Sequence, residues 1–264
     1  MKLFYRKYGD GPPLIILHGL FGSSDNWVTI AKKLSEQFTV ILPDQRNHGS
    51  SPHSPVHDYN AMRDDLHELV TDLSLEKFFL VGHSMGGKTA IAFALRWPEM
   101  LNGLLVADIS PFRGDNSEQS EYNLHRSILN AMLSMDLSKV STRTQVEEEL
   151  KEKGLPDYVI GFVMKNLQRD SHAFSWKLNA KALLGNLGNI IKPLDRNEAF
   201  SYQVTGFPVI FIKGDNSSYL PSSDFADIQK IFPAAEFVTI KNAGHWVHAD
   251  NPDEVIENIR KLGS

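Results

Sequence analysis

The chain of 264 residues contains no cysteine. Disulfides, thiolate metal sites and a cysteine nucleophile are therefore excluded. It also has no apolar run near the roughly 20 residues that a membrane-crossing helix needs. Its ten histidines show no H-E-x-x-H or comparable ligand spacing, so no metal site is expected. Charge imbalance is small: 27 Lys and Arg against 32 Asp and Glu, a formal net charge of −5. That gives no basis for nucleic acid or an anionic membrane as partner. At the N-terminus, Lys2, Arg6 and Lys7 interrupt apolarity too soon for a signal-peptide core, so a cytoplasmic protein is expected. Internal repeats, low-complexity tracts and flexible linkers are absent from the sequence.

What is present is organised around residues 78–89, FFLVGHSMGGKT. The apolar Phe78, Phe79, Leu80 and Val81 lead into Gly82-His83-Ser84-Met85-Gly86, and a small-residue helical pattern follows through Thr89, Ala90, Ala92 and Ala94. Strand, sharp turn and helix with serine at the tip is the context that gives G-x-S-x-G its meaning as a nucleophile elbow. Glycine is needed on both sides of the serine, because a Cβ there would bring strand and helix into collision.

The rest of the chain alternates in the same way. Residues 3–8 read as an opening strand, closed by the turn cluster at 9–13. The runs at 14–17, 38–42, 78–81, 103–107 and 208–212 are short, largely apolar and bounded by turn signals, as strands buried on both faces are, and 236–240 reads as the last strand. Helical spacing recurs at 26–34 and 60–73. This pattern predicts an α/β fold with a mostly parallel, doubly wound sheet of seven or eight strands. From 112 to 199 no convincing buried strand is seen. Leu124, Ile128, Leu129, Met132 and Leu133 suggest one helix, Thr142 and Gln145 a capping box for a second, Pro156 the start of a third, and 179–191 a fourth weakened by Gly185 and Gly188. Residues 112–199 are thus expected to be a helical cap, or lid, on a core formed by 1–111 and 200–264. Asn251 and Pro252 suit the start of a last helix.

A serine hydroxyl needs a base. His245 follows the last strand on the sheet edge that carries Ser84, and is preferred to His248, His83 and His18. For the acid, Asp108 ends the strand after the serine strand and is preferred; Asp215 is the alternative. The spacing usual in that later loop puts the acid at position 217, which is serine here. Backbone amides of Met85 and of Leu20, or its neighbour Phe21, are expected to form an oxyanion hole. Phe21, Trp246, Phe112, Met132 and Met164 are candidate pocket walls. The polar loop Asp44-Gln45-Arg46-Asn47-His48-Gly49-Ser50 is read as structural, held by mutual hydrogen bonds.

Five segments carry a resemblance: HGLFGSSDNW (18–27), DQRNHGSS (44–51), GHSMGGK (82–88), ADISP (107–111) and AGHWVHADNPD (243–253). On these the chain resembles the α/β-hydrolase fold superfamily over nearly its full length, and within it the YbfF-like esterases. Arg46-Asn47-His48-Gly49 and the position of Asp108 set this branch apart from the wider superfamily, where R-G-H-G and a later acid are usual. The resemblance implies hydrolysis of an acyl ester, or an acyl thioester, through an acyl-enzyme on Ser84, with His245 as base and Asp108 as its orienter. It also implies a helical cap and no cofactor. The same triad can serve carbon–carbon bond hydrolysis or peracid formation, and some proteins of this fold are ligand-binding receptors.

Overall fold

A computed structural model describes residues 1–113, 116–169 and 173–263; the remaining six positions, five of them inside the expected cap and one at the end of the expected core, lie outside the described residues. The strands are β1 (Tyr5–Tyr8), β2 (Pro13–Leu17), β3 (Thr39–Pro43), β4 (Phe78–His83), β5 (Leu101–Ala107), β6 (Leu167–Arg169), β7 (Phe174–Trp176), β8 (Val209–Gly214) and β9 (Ala235–Ile240). The helices are α1 (Val28–Leu34), α2 (Tyr59–Asp72), α3 (Met85–Arg96), α4 (Asn116–Leu133), α5 (Arg143–Glu152), α6 (Asp157–Val163), α7 (Ala180–Gly185), α8 (Leu187–Ile191), α9 (Arg196–Ala199), α10 (Phe225–Ile231), α11 (Val247–Asp250) and α12 (Pro252–Lys261). Among the described residues, no helix is long and apolar enough to cross a membrane.

Seven strands form the main sheet in the order β1-β3-β2-β4-β5-β8-β9. Only β1 is antiparallel to its neighbour. The apolar runs behave as strands covered on both faces should: every residue of β3 and β4 is buried. One face packs Leu17, Leu80, Val106 and Phe211 with Leu66, Phe93 and Ile228. The other packs Ile16, Val81, Leu105 and Ile212 with Ile30, Leu34, Val255 and Ile259. Burial of this apolar area, at about 25 cal/mol per Å², is the main force holding the helices on the sheet.

The segment between β5 and β8 makes its own apolar cluster, with Ile128, Leu129, Val146, Leu150, Val163 and Leu183, and joins it to Leu20, Phe21, Met62 and Met85 of the sheet edge. The predicted capping box is present: Thr142 accepts from the Gln145 amide, and Gln145 reaches back to the Thr142 amide. Other details differ from the sequence pattern. The segment is not all helical, because β6 and β7 pair antiparallel. Three residues per strand are too few to show a period-two pattern. The single helix expected at 179–191 is two, α7 and α8, broken at Asn186, whose side chain turns to donate to Ala182 and Pro55 carbonyls. Leu133 is 46 % exposed, since nine residues carry it about half a turn round α4 from Leu124.

Candidate active site

Ser84 sits between β4 and α3 with φ 53° and ψ −119°, a conformation that costs roughly 1–3 kcal/mol for a residue with a Cβ. Its amide donates to the Ala107 carbonyl at 3.0 Å. The flanking glycines are obligatory here: a Cβ on Gly86 would lie 2.5 Å from the Leu17 carbonyl oxygen, and one on Gly82 would collide with the Gly86 carbonyl.

β4, β5 and the turn after β9 bring three side chains into one line. Ser84 Oγ lies 3.0 Å from His245 Nε2, and His245 Nδ1 lies 2.8 Å from Asp108 Oδ2. A carboxylate only accepts, so the imidazole proton is on Nδ1 and the Nε2 lone pair faces the serine hydroxyl. Asp108 is fully buried. It too has a left-handed backbone, φ 50°, which turns its carboxylate toward the histidine. Oδ1 accepts from the Gly214 amide at 2.9 Å, and Oδ2 also accepts from Ser217 Oγ. Asp215 is exposed and lies outside this line, its amide tied to the Ile240 carbonyl.

Ser217 therefore occupies the place where the usual spacing expects the acid, and it binds the acid supplied from β5. Sequence reasoning passed over it because serine is not a carboxylate. It missed Tyr219 as well. Ser217 Oγ accepts from the Tyr219 amide at 3.2 Å, and the Tyr219 ring stacks on His245, 3.6 Å between centroids and 18° from parallel. The Arg113 guanidinium lies over the Tyr219 ring, 3.6 Å from its centroid. No motif marks either residue; each is found only through the stack.

Four further histidines buttress the site as neutral rings. His83 Nε2 donates to the His245 carbonyl at 2.8 Å, linking the elbow to the histidine turn. His18 Nε2 accepts from the Gln45 amide, and Nδ1 donates to the Gly19 carbonyl. His48 Nε2 accepts from the Phe21 amide at 3.3 Å. His57 Nε2 donates to Met85 Sδ at 3.4 Å. Burial, foremost, pushes the pKa of each of these rings below its ordinary value, for His57 to about 3.

Of the two loop amides named for an oxyanion hole, that of Phe21 is committed to His48, which leaves that of Leu20. Phe21 has φ 61°, and its carbonyl accepts from Asn166 Nδ2 of the segment after α6 at 2.8 Å. Met85 opens α3, so its amide is one of the helix's free N-terminal donors. The loop after β3 holds itself less by internal bonds than by outside ones. Asp44 accepts from the Ser24 and Ser50 amides, and Arg46 makes a bidentate pair with Asp65 at 2.6 and 2.8 Å. Asn47, which stands where glycine is usual, keeps the left-handed backbone at φ 65°. Its side chain meets Ser54, His57 and Asn179, and its carbonyl takes the Asn179 amide.

A cavity of about 180 Å³ opens on Ser84 and His245, walled by Leu20, Phe21, Trp246 and Tyr219 below and by Leu124, His125, Ile128, Tyr158, Val159 and Phe162 of α4 and α6 above. Phe112 does not line it. Ser110 Oγ accepts the Phe112 amide and turns the ring down onto Phe200, under the Arg196 guanidinium. Met132 and Met164 are buried in the core of the 112–199 segment, away from the cavity wall.

With a seven-stranded sheet of this order, and this line of side chains at its edge, the chain belongs to the α/β-hydrolase fold family, whose sequence profile matches residues 12–252. It is 35 % identical over 256 residues to the sn-1-specific diacylglycerol lipase ABHD11 of Danio rerio, covering 95 % of this chain and 78 % of that one. To esterase YbfF of Escherichia coli it is 32 % identical over 254 residues, covering 96 % and 93 %. A solved structure, a marine microorganism esterase, superposes with a TM-score of 0.92 at 39 % identity and covers 99 % of both chains.

Proposed function

We propose that the protein is a serine carboxylesterase that hydrolyses small acyl esters, and by the same steps acyl thioesters, through an acyl-enzyme on Ser84. The observation that carries this reading is the line Asp108–His245–Ser84 with the proton on the Asp108 side of the imidazole. Esterase and lipase names among relatives that share nearly the whole chain support it.

His245 Nε2 takes the Ser84 proton as Oγ attacks the acyl carbonyl. The tetrahedral oxyanion is held by the amides of Met85 and Leu20, each worth roughly 3–4 kcal/mol in such sites. Asp108 stabilises the imidazolium without itself taking the proton. Collapse expels the alcohol or thiol, which receives the proton from His245. A water then gives its proton to Nε2, attacks the acyl carbon and releases the acid, restoring Ser84. Residues 112–199 act as a lid whose α4 and α6 close the acyl pocket and exclude bulk water.

A substrate panel tests the reading: p-nitrophenyl esters, an acyl thioester and a vinylogous diketone. Turnover of the esters by the wild type, lost in Ser84→Ala, is expected. Rapid cleavage of the diketone with no ester turnover would instead assign carbon–carbon bond hydrolysis.

A further inference from the structure

His125 is half-buried, and it shares an unpartnered Nδ1 with His248, which stacks on Trp27 outside the cavity wall. His18, His48, His57 and His83 all hold hydrogen bonds to the protein. His125 lies on α4 in the wall of the Ser84 cavity, with its ring against the edge of Phe21, 5.5 Å between centroids and 71° apart. Its Nδ1 is shielded without a hydrogen-bond partner, which leaves Nε2 as the ring nitrogen that a ligand in the cavity can reach. An orphaned polar atom is costly, and leucine or phenylalanine would fill the same wall without that cost.

The missing partner has a definable chemistry. Burial first, then the nearby His245 and Arg113, push the His125 pKa down to about 3, so the ring is neutral at working pH. A neutral imidazole offers one donor and one acceptor. Nε2 can therefore donate to a hydroxyl or keto oxygen, or accept from a hydroxyl, while a carboxylate would lose its hydration in this pocket. Around it the wall is apolar, with Leu20, Phe21, Ile128, Val159 and Phe162. The cavity, about 180 Å³, is small beside the 300–1,000 Å³ of drug-sized sites. It therefore suits a short chain on which a single polar group is read.

We propose that His125 is a specificity-determining residue that hydrogen-bonds a neutral hydroxyl or keto group on the substrate, so that short esters bearing such a group are preferred to their plain alkyl counterparts. This rests on ester hydrolysis at Ser84. The group can belong to the acyl chain or to the alcohol, and the imidazole's chemistry is the same for both.

The test is steady-state kinetics of wild type, His125→Phe and His125→Gln on two matched pairs. One pair is p-nitrophenyl 3-hydroxybutyrate and p-nitrophenyl butyrate; the other is 2-hydroxyethyl butyrate and propyl butyrate. In one pair the wild type should favour the hydroxylated ester in kcat/KM by about threefold to tenfold, the size of one net hydrogen bond. His125→Phe should abolish that preference through KM, and His125→Gln should retain part of it. The pair that responds says whether the acyl chain or the alcohol carries the group. Should His125→Phe not fold, His125→Leu makes the same comparison. A wild type without preference in either pair, or a His125→Phe variant that weakens both members of a pair equally, overturns the assignment and leaves His125 a packing residue. No turnover of any of the four esters would overturn the esterase reading along with it.

Discussion

Asp108 and Asp215 stand at the ends of neighbouring strands, and their surroundings separate them. Asp108 is buried, accepts from Gly214, Ser217 and His245, and has its backbone bent to do so. Asp215 is exposed and its side chain is not part of the line. Asp108→Asn is expected to lower kcat by about 10³- to 10⁴-fold, as loss of the orienting carboxylate does elsewhere, while Asp215→Asn stays within about twofold, as surface changes away from a site do. Steady-state kinetics on one ester decides it, and the reverse ranking would reject Asp108. Ser217→Ala removes one charge-assisted bond and with it the tie to Tyr219; a fall in kcat of about tenfold to a hundredfold is expected, since such bonds are worth roughly 1.5–3 kcal/mol. At this scale Ser84 and His245 were legible because each follows a strand and carries a glycine beside it. Ser217, Tyr219 and His125 were not, because hydroxyl, ring and imidazole acquire their roles only from what the fold stacks against them.

The main-sheet strands were legible within two residues at their ends: double-sided burial writes the central ones as apolar runs, and turn residues bound β1 and β9 at the sheet's edges. The elements between β5 and β8 were read less well. They are short, and their ends are fixed by contacts distant in sequence: Asn179 caps α7 while bonded to Asn47, and Lys88 of α3 donates to the Ile191 and Lys192 carbonyls at the end of α8 at 2.9 and 3.2 Å. These ties join the 112–199 segment to the sheet edge that carries Ser84. Asn47→Gly keeps the left-handed backbone at no steric cost but removes the side-chain bonds to Ser54, His57 and Asn179. The expected result is a loss of about 1–3 kcal/mol, read as a lowered melting temperature together with faster proteolysis within 112–199. An unchanged melting temperature would mean that these bonds hold nothing together.

Across the whole molecule, six rings share one property. His18, His48, His57, His83, His125 and His248 are kept neutral, chiefly by burial, and for His57, His125 and His248 the pKa falls from 6.5 to about 3. Below pH 6.5 the unfolded chain binds protons that the fold refuses, so stability is fully present above that pH and falls as pH drops toward 3. His57, His125 and His248 each contribute a slope of about 1.4 kcal/mol per pH unit in that window, and His18, His48 and His83 add loss in the same direction. Chemical denaturation between pH 7 and pH 5 should show a steep loss, and a flat profile would contradict neutral burial. The sequence showed ten histidines without metal spacing, but only the packing reveals that so many are held neutral within the fold. The parallel sheet was readable from the alternation of strands and helices. Which side chains of 112–199 wall the Ser84 cavity was not, since nothing local in that segment encodes what its α4 and α6 face.

The central claim, that Ser84 is an activated nucleophile, is tested most directly by intact mass after reaction with a fluorophosphonate. The wild type should gain one phosphonyl adduct, localised to Ser84 by peptide mapping, and Ser84→Ala should gain none. An unlabelled wild type, or equal labelling of both proteins, would contradict it.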